Sequence, residues 1–213
     1  CRREKLEPTL KLIPDIVINN LDKTKFLVQD DKDNFDYILS TNKIKTYDGS
    51  KLATKRNYLR RFLKDKHNYK FEIINSSDVH LKEKIKKLFS IWSKQKNMSD
   101  TYVDNEFNAL NRFLNIPPKP ELIFSLIWID DKLVAFWLLE DIGNNYAISH
   151  FEKADTSYKG VVSFLMNHTA EKLIDNGILY INHEQDLGIP GLRINKESLD
   201  PYCYLKKFIV RSR

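Results

Sequence analysis

Apolar residues fall into two spacings along this chain, and the spacing sorts it into elements. A helical period of three to four predicts helices over 50–66 (Leu52, Leu59, Phe62, Leu63), 79–96 (Leu81, Ile85, Leu88, Trp92), 104–114 (Phe107, Leu110, Leu114) and 160–176. Gly177 stands where a glycine ends a helix. Short apolar or β-branched runs predict strands over 25–29, 71–74, 122–129, 133–139, 146–151, 178–181 and 204–210. Asp130-Asp131-Lys132 lies between two of these runs and reads as a hairpin turn. Leu10, Ile13, Ile16 and Val17 form a weak helical stripe interrupted by Pro14. Pro117, Pro118 and Pro120 read as a rigid joint after the third helix.

The order helix, helix, hairpin, strand, helix, strand, loop, strand predicts an α/β (α+β) fold, a mixed, mostly antiparallel sheet flanked by helices. It is similar to the layout of the GNAT acyltransferase superfamily. Residues 1–46 read as the tail of a preceding partial GNAT-like domain, and 47–213 as a GNAT-like catalytic domain.

Composition narrows the function classes. A chain of 213 residues with 42% hydrophobic and 12% aromatic residues can bury a sizeable core, so disorder is not expected. No apolar run nears the roughly 20 residues of a membrane-spanning helix, and the charged N-terminus has no secretory pattern. The two cysteines, Cys1 and Cys203, form no C-x-x-C pair, so neither a zinc site nor a redox motif is expected and a reducing cytoplasm is the expected compartment. The acidic turn 30–36 has calcium-like spacing but lacks the glycine and terminal glutamate of an EF-hand loop; no metal is expected. The net charge of +6 permits a polyanionic partner. The helix at 50–66 concentrates Lys51, Lys55, Arg56, Arg60, Arg61, Lys64 and Lys66 against one acid, Asp65. Such a face is solvated in most proteins, but a phosphate-rich ligand would also match it.

The densest chemistry lies in 182–201, N-H-E-Q-D-L-G-I-P-G-L-R-I-N-K-E-S-L-D-P. Glu184 and Asp186 alternate along what reads as an extended segment, so both would face one side. Gly188 and Gly191 would permit positive φ or close ligand approach. Arg193 and Lys196 suit phosphate, the first as a planar fork and the second as a point charge; the structural alternative is an Arg–Asp pair. At the end of an earlier strand, His150, Glu152 and Lys153 form a second group. If the two strands are neighbours, Glu152 and Asp186 converge.

Several blocks, in order, carry a resemblance: D-N-F-D-Y-I (33–38); Gly49, Lys51, Lys55-Arg56-Asn57 and Phe62; H-F-E-K-A (150–154); Tyr158-Lys159-Gly160; and Asn182, Glu184, Asp186, Gly188, Gly191, Leu192, Arg193, Lys196, Ser198 and Pro201. The chain resembles the C-terminal catalytic domain of bacterial phosphatidylglycerol lysyltransferases and its stand-alone relatives. The resemblance departs at His183, where the family has arginine, and at Leu199, where it has tyrosine. It implies the second half of a tandem-GNAT, Fem-like unit that moves an aminoacyl group from a charged tRNA to an acceptor such as a phosphatidylglycerol headgroup, peripherally at the inner face of a membrane. Asp186, Glu152 and Glu184 would be catalytic. Arg193, Lys196, Lys153, His150, Gly188 and Gly191 would bind substrate or phosphate, and Lys51, Lys55, Arg56 and Arg60 would meet the tRNA. The reaction needs no cofactor. Two other readings stand beside it. One is an acyl-CoA-dependent N-acyltransferase, although S-Y-K-G-V-V (157–162) has only one glycine where a pyrophosphate cradle has several. The other is a non-catalytic module that binds RNA or a membrane surface.

Overall fold

The computed structural model describes residues 8–76, 78–96 and 100–213. Cys1 lies outside them. The chain divides into two compact units, Cys1–Leu39 with Asn182–Arg213, and Ser40–Ile181. This partition differs from a linear division at residue 46, because the two ends of the chain build one unit together.

In that first unit, β1 (Thr9–Pro14) and β2 (Phe26–Asp30) flank β10 (Lys207–Ser212) in an antiparallel three-stranded sheet. The segment around Leu10 is therefore a strand, where the sequence pattern predicts a helix. Its weak stripe had no cap, while β10 supplies a hydrogen-bonding partner that no local pattern reveals. Only Asp15–Ile18, after Pro14, is helical (α1). The acidic turn is a 3-10 turn, Lys32–Asn34, leading into β3 (Asp36–Ser40). β3 pairs with β9 (Cys203–Leu205), so the single closing strand expected over 204–210 is two strands, β9 and β10. α7 (Pro190–Glu197) begins with proline at its first position, where proline's fixed φ and missing N–H are tolerated.

The second unit holds the large core. β4 (Tyr69–Ile74), β5 (Leu122–Ile129), β6 (Lys132–Gly143) and β7 (Tyr146–Ala154) lie in that order, each antiparallel to the next. Asp130 and Asp131 both take positive φ, 48° and 60°, as a two-residue hairpin turn matched to strand twist requires. β5 and β6 are apolar at almost every position because helices cover both faces. On one face, Phe124, Leu126, Phe136 and Leu138 pack with Leu81, Ile85, Leu88 and Phe89 of α4 (Val79–Lys96) and Leu110 and Phe113 of α5 (Asp100–Leu114). The intervening side chains, Ser125, Ile127, Ala135, Trp137 and Leu139, are also buried and point the other way, toward α6 (Val161–Asp175), which contacts all four strands. α2 (Thr41–Thr46) and α3 (Ala53–Lys64) pack on α6, with the Phe62 and Phe164 rings 4.6 Å apart. β8 (Tyr180–Asn182) follows α6. Among the described residues no helix is long and apolar enough to cross a membrane.

Two glycines bracket α6 for different reasons. Gly177 takes φ +79° with open space around it. Its N–H donates to the Ile174 carbonyl and that of Ile178 to Leu173, which closes the helix as a Schellman motif. Gly160, φ +87°, begins α6 under the backbone of α3. A Cβ there would lie 2.0 Å from the Tyr58 carbonyl oxygen. Replacing Gly160 with alanine should therefore cost on the order of 3 kcal/mol or more, from backbone strain plus overpacking. Gly177→Ala should cost only about 1 kcal/mol. Urea denaturation of both variants compares them, and equal losses would rule out close α3–α6 approach as the reason for Gly160.

Asp155, buried at the end of β7, joins three elements. Its carboxylate accepts from Gln95 Nε2 of α4 at 2.8 Å, from the Ser157 hydroxyl and N–H at 2.6 and 3.1 Å, and from Lys132 Nζ of β6 at 3.1 Å. Burial pushes its pKa up, but these donors outweigh burial and bring it to about 2. A depressed carboxyl contributes stability above its unfolded pKa, which is lost as pH falls through the folded one. The wild type should lead Asp155→Asn by up to about 2 kcal/mol near neutrality, one pKa unit being about 1.4 kcal/mol. That lead should shrink between pH 4 and 2, as read by denaturation at a series of pH values. A lead independent of pH would refute the linkage.

Candidate functional site

Two of the sequence blocks, 33–38 and 182–196, form one constellation in the first unit. Its centre is Asp186, 1% exposed. One carboxylate oxygen accepts from Tyr37 Oη at 2.5 Å and Arg193 Nε at 2.8 Å; the other accepts from the Gly188 N–H at 2.8 Å and Arg193 Nη2 at 2.9 Å. Burial alone would raise the Asp186 carboxyl, but Arg193, Tyr37 and the Gly188 amide hold it below the usual range. Tyr37 shows the reverse: burial and the adjacent carboxylate push its phenol well up. A carboxylate with four donors, including a bidentate guanidinium, is an anchor. It is a poor general base, because taking a proton would cost it these bonds.

Arg193 reaches a second carboxylate, Asp33 Oδ1, 2.7 Å from Nη2. One cation thus faces two anions, which weakens it as a general phosphate receptor. Lys196, the other phosphate candidate, is buried. Its Nζ donates to the His183 backbone carbonyl and lies 3.1 Å from His183 Nδ1. The departure at His183 therefore sits against this lysine.

Backbone geometry corrects two expectations. Glu184 has φ +56° and Leu187 has φ +56°, so 184–186 is not extended and alternation does not place Glu184 and Asp186 on one side. Instead, Glu184 bonds through its backbone: its carbonyl accepts from the Tyr37 N–H at 3.2 Å, and its N–H donates to Asn182 Oδ1 at 2.8 Å. Gly188 does take positive φ, +72°, and a Cβ there would sit 2.9 Å from Asp33 Oδ2. Gly191 has neither feature; it lies in the first turn of α7 with open space where a Cβ would be.

The remaining candidates belong to the second unit, on opposite faces of its sheet. Glu152 pairs across strands with Trp137 and so shares the α6 side. Its charge raises the pKa of the buried Tyr47 phenol, after desolvation, and opposes the burial that lowers Lys55 of α3. Tyr47 donates to the Ser163 carbonyl at 2.9 Å. Glu152, Lys55 and Tyr47 thus form one half-buried electrostatic group. Lys153 points the other way, to Glu106 of α5 at 2.7 Å, with its Nζ 4.2 Å from the Trp92 ring centroid. His150 occupies an extra residue in β7, since Phe151 pairs with Leu138 and Ser149 with Leu139. Its Nε2 lies 3.0 Å from Glu140 Oε2. Arg56 of α3 donates to the Tyr47 and Gly49 carbonyls, bracing the loop after α2. Lys51 and Arg60 are exposed.

Residue-type reasoning did not single out Asp33, Asp36 or Tyr37 as site residues. Asp36 accepts from Lys207 Nζ at 2.5 Å and from Asn182 Nδ2 at 3.1 Å. The signal was present in the D-N-F-D-Y-I block; its link to the later block is tertiary.

Comparisons with known proteins place the chain in a family. The family model described as phosphatidylglycerol lysyltransferase, C-terminal, matches residues 1–211. An uncharacterised protein of Mycoplasmoides gallisepticum is 22% identical over 186 residues, 87% of this chain and 58% of that protein. The chain therefore spans less than two thirds of that relative. A conserved protein of unknown function from Bacteroides thetaiotaomicron superposes with a TM-score of 0.80 at 26% identity, covering 100% of this chain and 72% of that one. The C-terminal domain of a putative lysylphosphatidylglycerol synthetase from Agrobacterium fabrum superposes at 0.67 with 14% identity, over 99% of this chain and 69% of that one, and at that identity speaks for the fold alone. With a family match running from end to end, the chain belongs to the phosphatidylglycerol lysyltransferase C-terminal family.

Proposed function

We propose that this chain carries the catalytic machinery of an aminoacyltransferase. It would move an aminoacyl group from the 3′ end of a charged tRNA to an acceptor hydroxyl or amine, a phosphatidylglycerol headgroup being the acceptor the family name suggests. The observation that carries the reading is the family match over residues 1–211. In the reaction, the acceptor attacks the ester carbonyl and loses a proton, the ester bond breaks, and the ribose hydroxyl regains a proton.

Glu152 and Lys55 suit the proton traffic better than Asp186. Desolvation lowers the Lys55 pKa, with Glu152 opposing it, which brings an amine closer to accepting a proton near neutrality. Lys55 thus moves from a tRNA contact to proton handling, and Glu152 serves as its partner or holds the ammonium of the donated residue. The tRNA phosphates are left to the exposed cations of and around α3, Lys51, Arg60, Arg61, Lys64 and Lys66. Peripheral contact with an anionic membrane would use the same charge.

Gly160 bears on the acyl-CoA alternative. A pyrophosphate cradle needs open space at a helix N-terminus, and at α6 the Tyr58 carbonyl of α3 approaches so closely that even a methyl group would not fit. A carbonyl oxygen also repels an anion. CoA should therefore give no thermal stabilisation.

Glu152→Gln in the complete protein should lower transfer of radiolabelled amino acid from charged tRNA by about 10²- to 10⁴-fold, the usual size of acid–base catalysis. The wild-type single-turnover rate should rise with pH as Lys55 loses its proton, and Lys55→Met should remove that rise. Wild-type transfer by Glu152→Gln would sink the assignment. Stabilisation by CoA together with absence of aminoacyl transfer would replace the reading with acyl-CoA chemistry.

A further inference from the structure

Arg193 is held unequally by its two carboxylates. Asp186 is 1% exposed and locked by Tyr37 and Gly188 as well as by the guanidinium. Asp33 is 60% exposed and stands on the 3-10 turn Lys32–Asn34, outside any strand or longer helix. Its bond to Arg193 uses Nη2 alone, which is already shared with Asp186. An exposed ion pair of this kind contributes little and separates readily, whereas breaking a buried, fully bonded one leaves a stranded charge. The seat that Asp33 occupies is nevertheless shaped. Gly188 lies against it, and a Cβ at that position would come within 2.9 Å of Asp33 Oδ2. Gly188, whose φ of +72° already favours glycine, leaves beside the guanidinium the space that the Asp33 carboxylate fills.

We propose that Asp33 is a displaceable internal ligand of Arg193, filling a seat that a phosphodiester oxyanion takes when substrate binds. Asp186 is the positioning residue: it fixes the plane of the fork through Nε and Nη2 and remains when Asp33 swings out with its turn. Arg193 Nη1, which takes part in none of these bonds, and the vacated Nη2 then present two donors to one phosphate, the pairing for which guanidinium geometry is suited. With Asp33 in place the group has one cation and two anions and turns phosphate away; with Asp33 displaced it is neutral overall and offers a fork. The seat thereby discriminates in favour of ligands that bring enough other contacts to move Asp33. The proposal draws on the transfer reading only for the source of the phosphate, either the 3′ end of an RNA or a glycerophospholipid headgroup.

Binding, measured apart from turnover, tests it. The complete protein and its Asp33→Asn variant are titrated calorimetrically, at one fixed salt concentration, with a CCA trinucleotide and with glycerophosphoglycerol. Removing the competing charge should tighten one of them by roughly five-fold, the size of one charge–charge interaction at about 4 Å in water. Which one tightens names the source. Adding Arg193→Lys to Asp33→Asn should abolish the gain, because an ammonium cannot offer the fork. Asp33→Ser provides the same reading should the asparagine variant fold poorly. Unchanged or weaker binding of both probes on removal of Asp33, or a gain that survives Arg193→Lys, overturns the proposal. Loss of aminoacyl transfer in the assay above would leave this result untouched, so the two readings fail separately.

Discussion

The first unit depends on one buried carboxylate. Its pieces come from the two ends of the chain, and backbone pairing of β1, β2 and β3 with β9 and β10 joins them only as ribbons. Asp186 ties the side chains across that join, taking a phenol from β3, an amide from its own loop and a guanidinium from α7. A buried carboxylate is tolerated only when its oxygens are fully bonded, so each donor depends on the others. Tyr37 needs its acceptor, Gly188 needs positive φ to aim its N–H, and Arg193 needs α7 at that distance. Asp36, with Lys207 and Asn182, repeats the arrangement one residue earlier in β3. The conspicuous charges of 182–196 are thereby explained first as architecture.

That architecture redistributes the chemistry. A carboxylate locked by several donors is suited to holding geometry, and one that shares a face with a partly desolvated amine is suited to proton handling, so in the proposed reaction Asp186 and Glu152 exchange the weights that sequence alone would assign. The same distinction separates the cations. Arg56 and Lys153 are engaged by carbonyls and by Glu106, respectively. Arg60, Arg61 and Lys64 of α3 face solvent. A helix that reads as a uniform basic stripe is therefore two surfaces, an inner one that includes Lys55 and an outer one open to a polyanion.

Much of the second unit was legible because its signals are local or doubly redundant. β5 and β6 are apolar throughout, since both faces are covered, and the hairpin between them carries its own turn chemistry. α4 has the same bounds in the periodicity and in the structure, and Gly177 marks the end of α6 through its φ alone. The first unit was less legible because its signals are distant. β1 becomes a strand by pairing with residues about 200 positions away, and nothing near Leu10 records that. α7 was concealed inside a motif whose glycines and proline suggest a loop, although Pro190 is a helix-start residue. Asp33 and Tyr37 were visible as a block but carried no chemistry until Asp186 and Arg193 were placed beside them.

Gly160 and Gly188 illustrate why the two kinds of reading differ. Both take positive φ, which sequence reasoning anticipates for glycine in general. What each excludes depends on a neighbour the sequence cannot supply: the α3 backbone at Gly160, a carboxylate at Gly188. The first contact brings the α3 backbone against the start of α6. The second leaves room for an oxyanion beside an arginine. A glycine thus informs about ligands only through what occupies the space its missing side chain leaves. In this chain the two occupants differ in kind: a backbone carbonyl of α3 at Gly160, and at Gly188 a carboxylate that also bonds the guanidinium of α7.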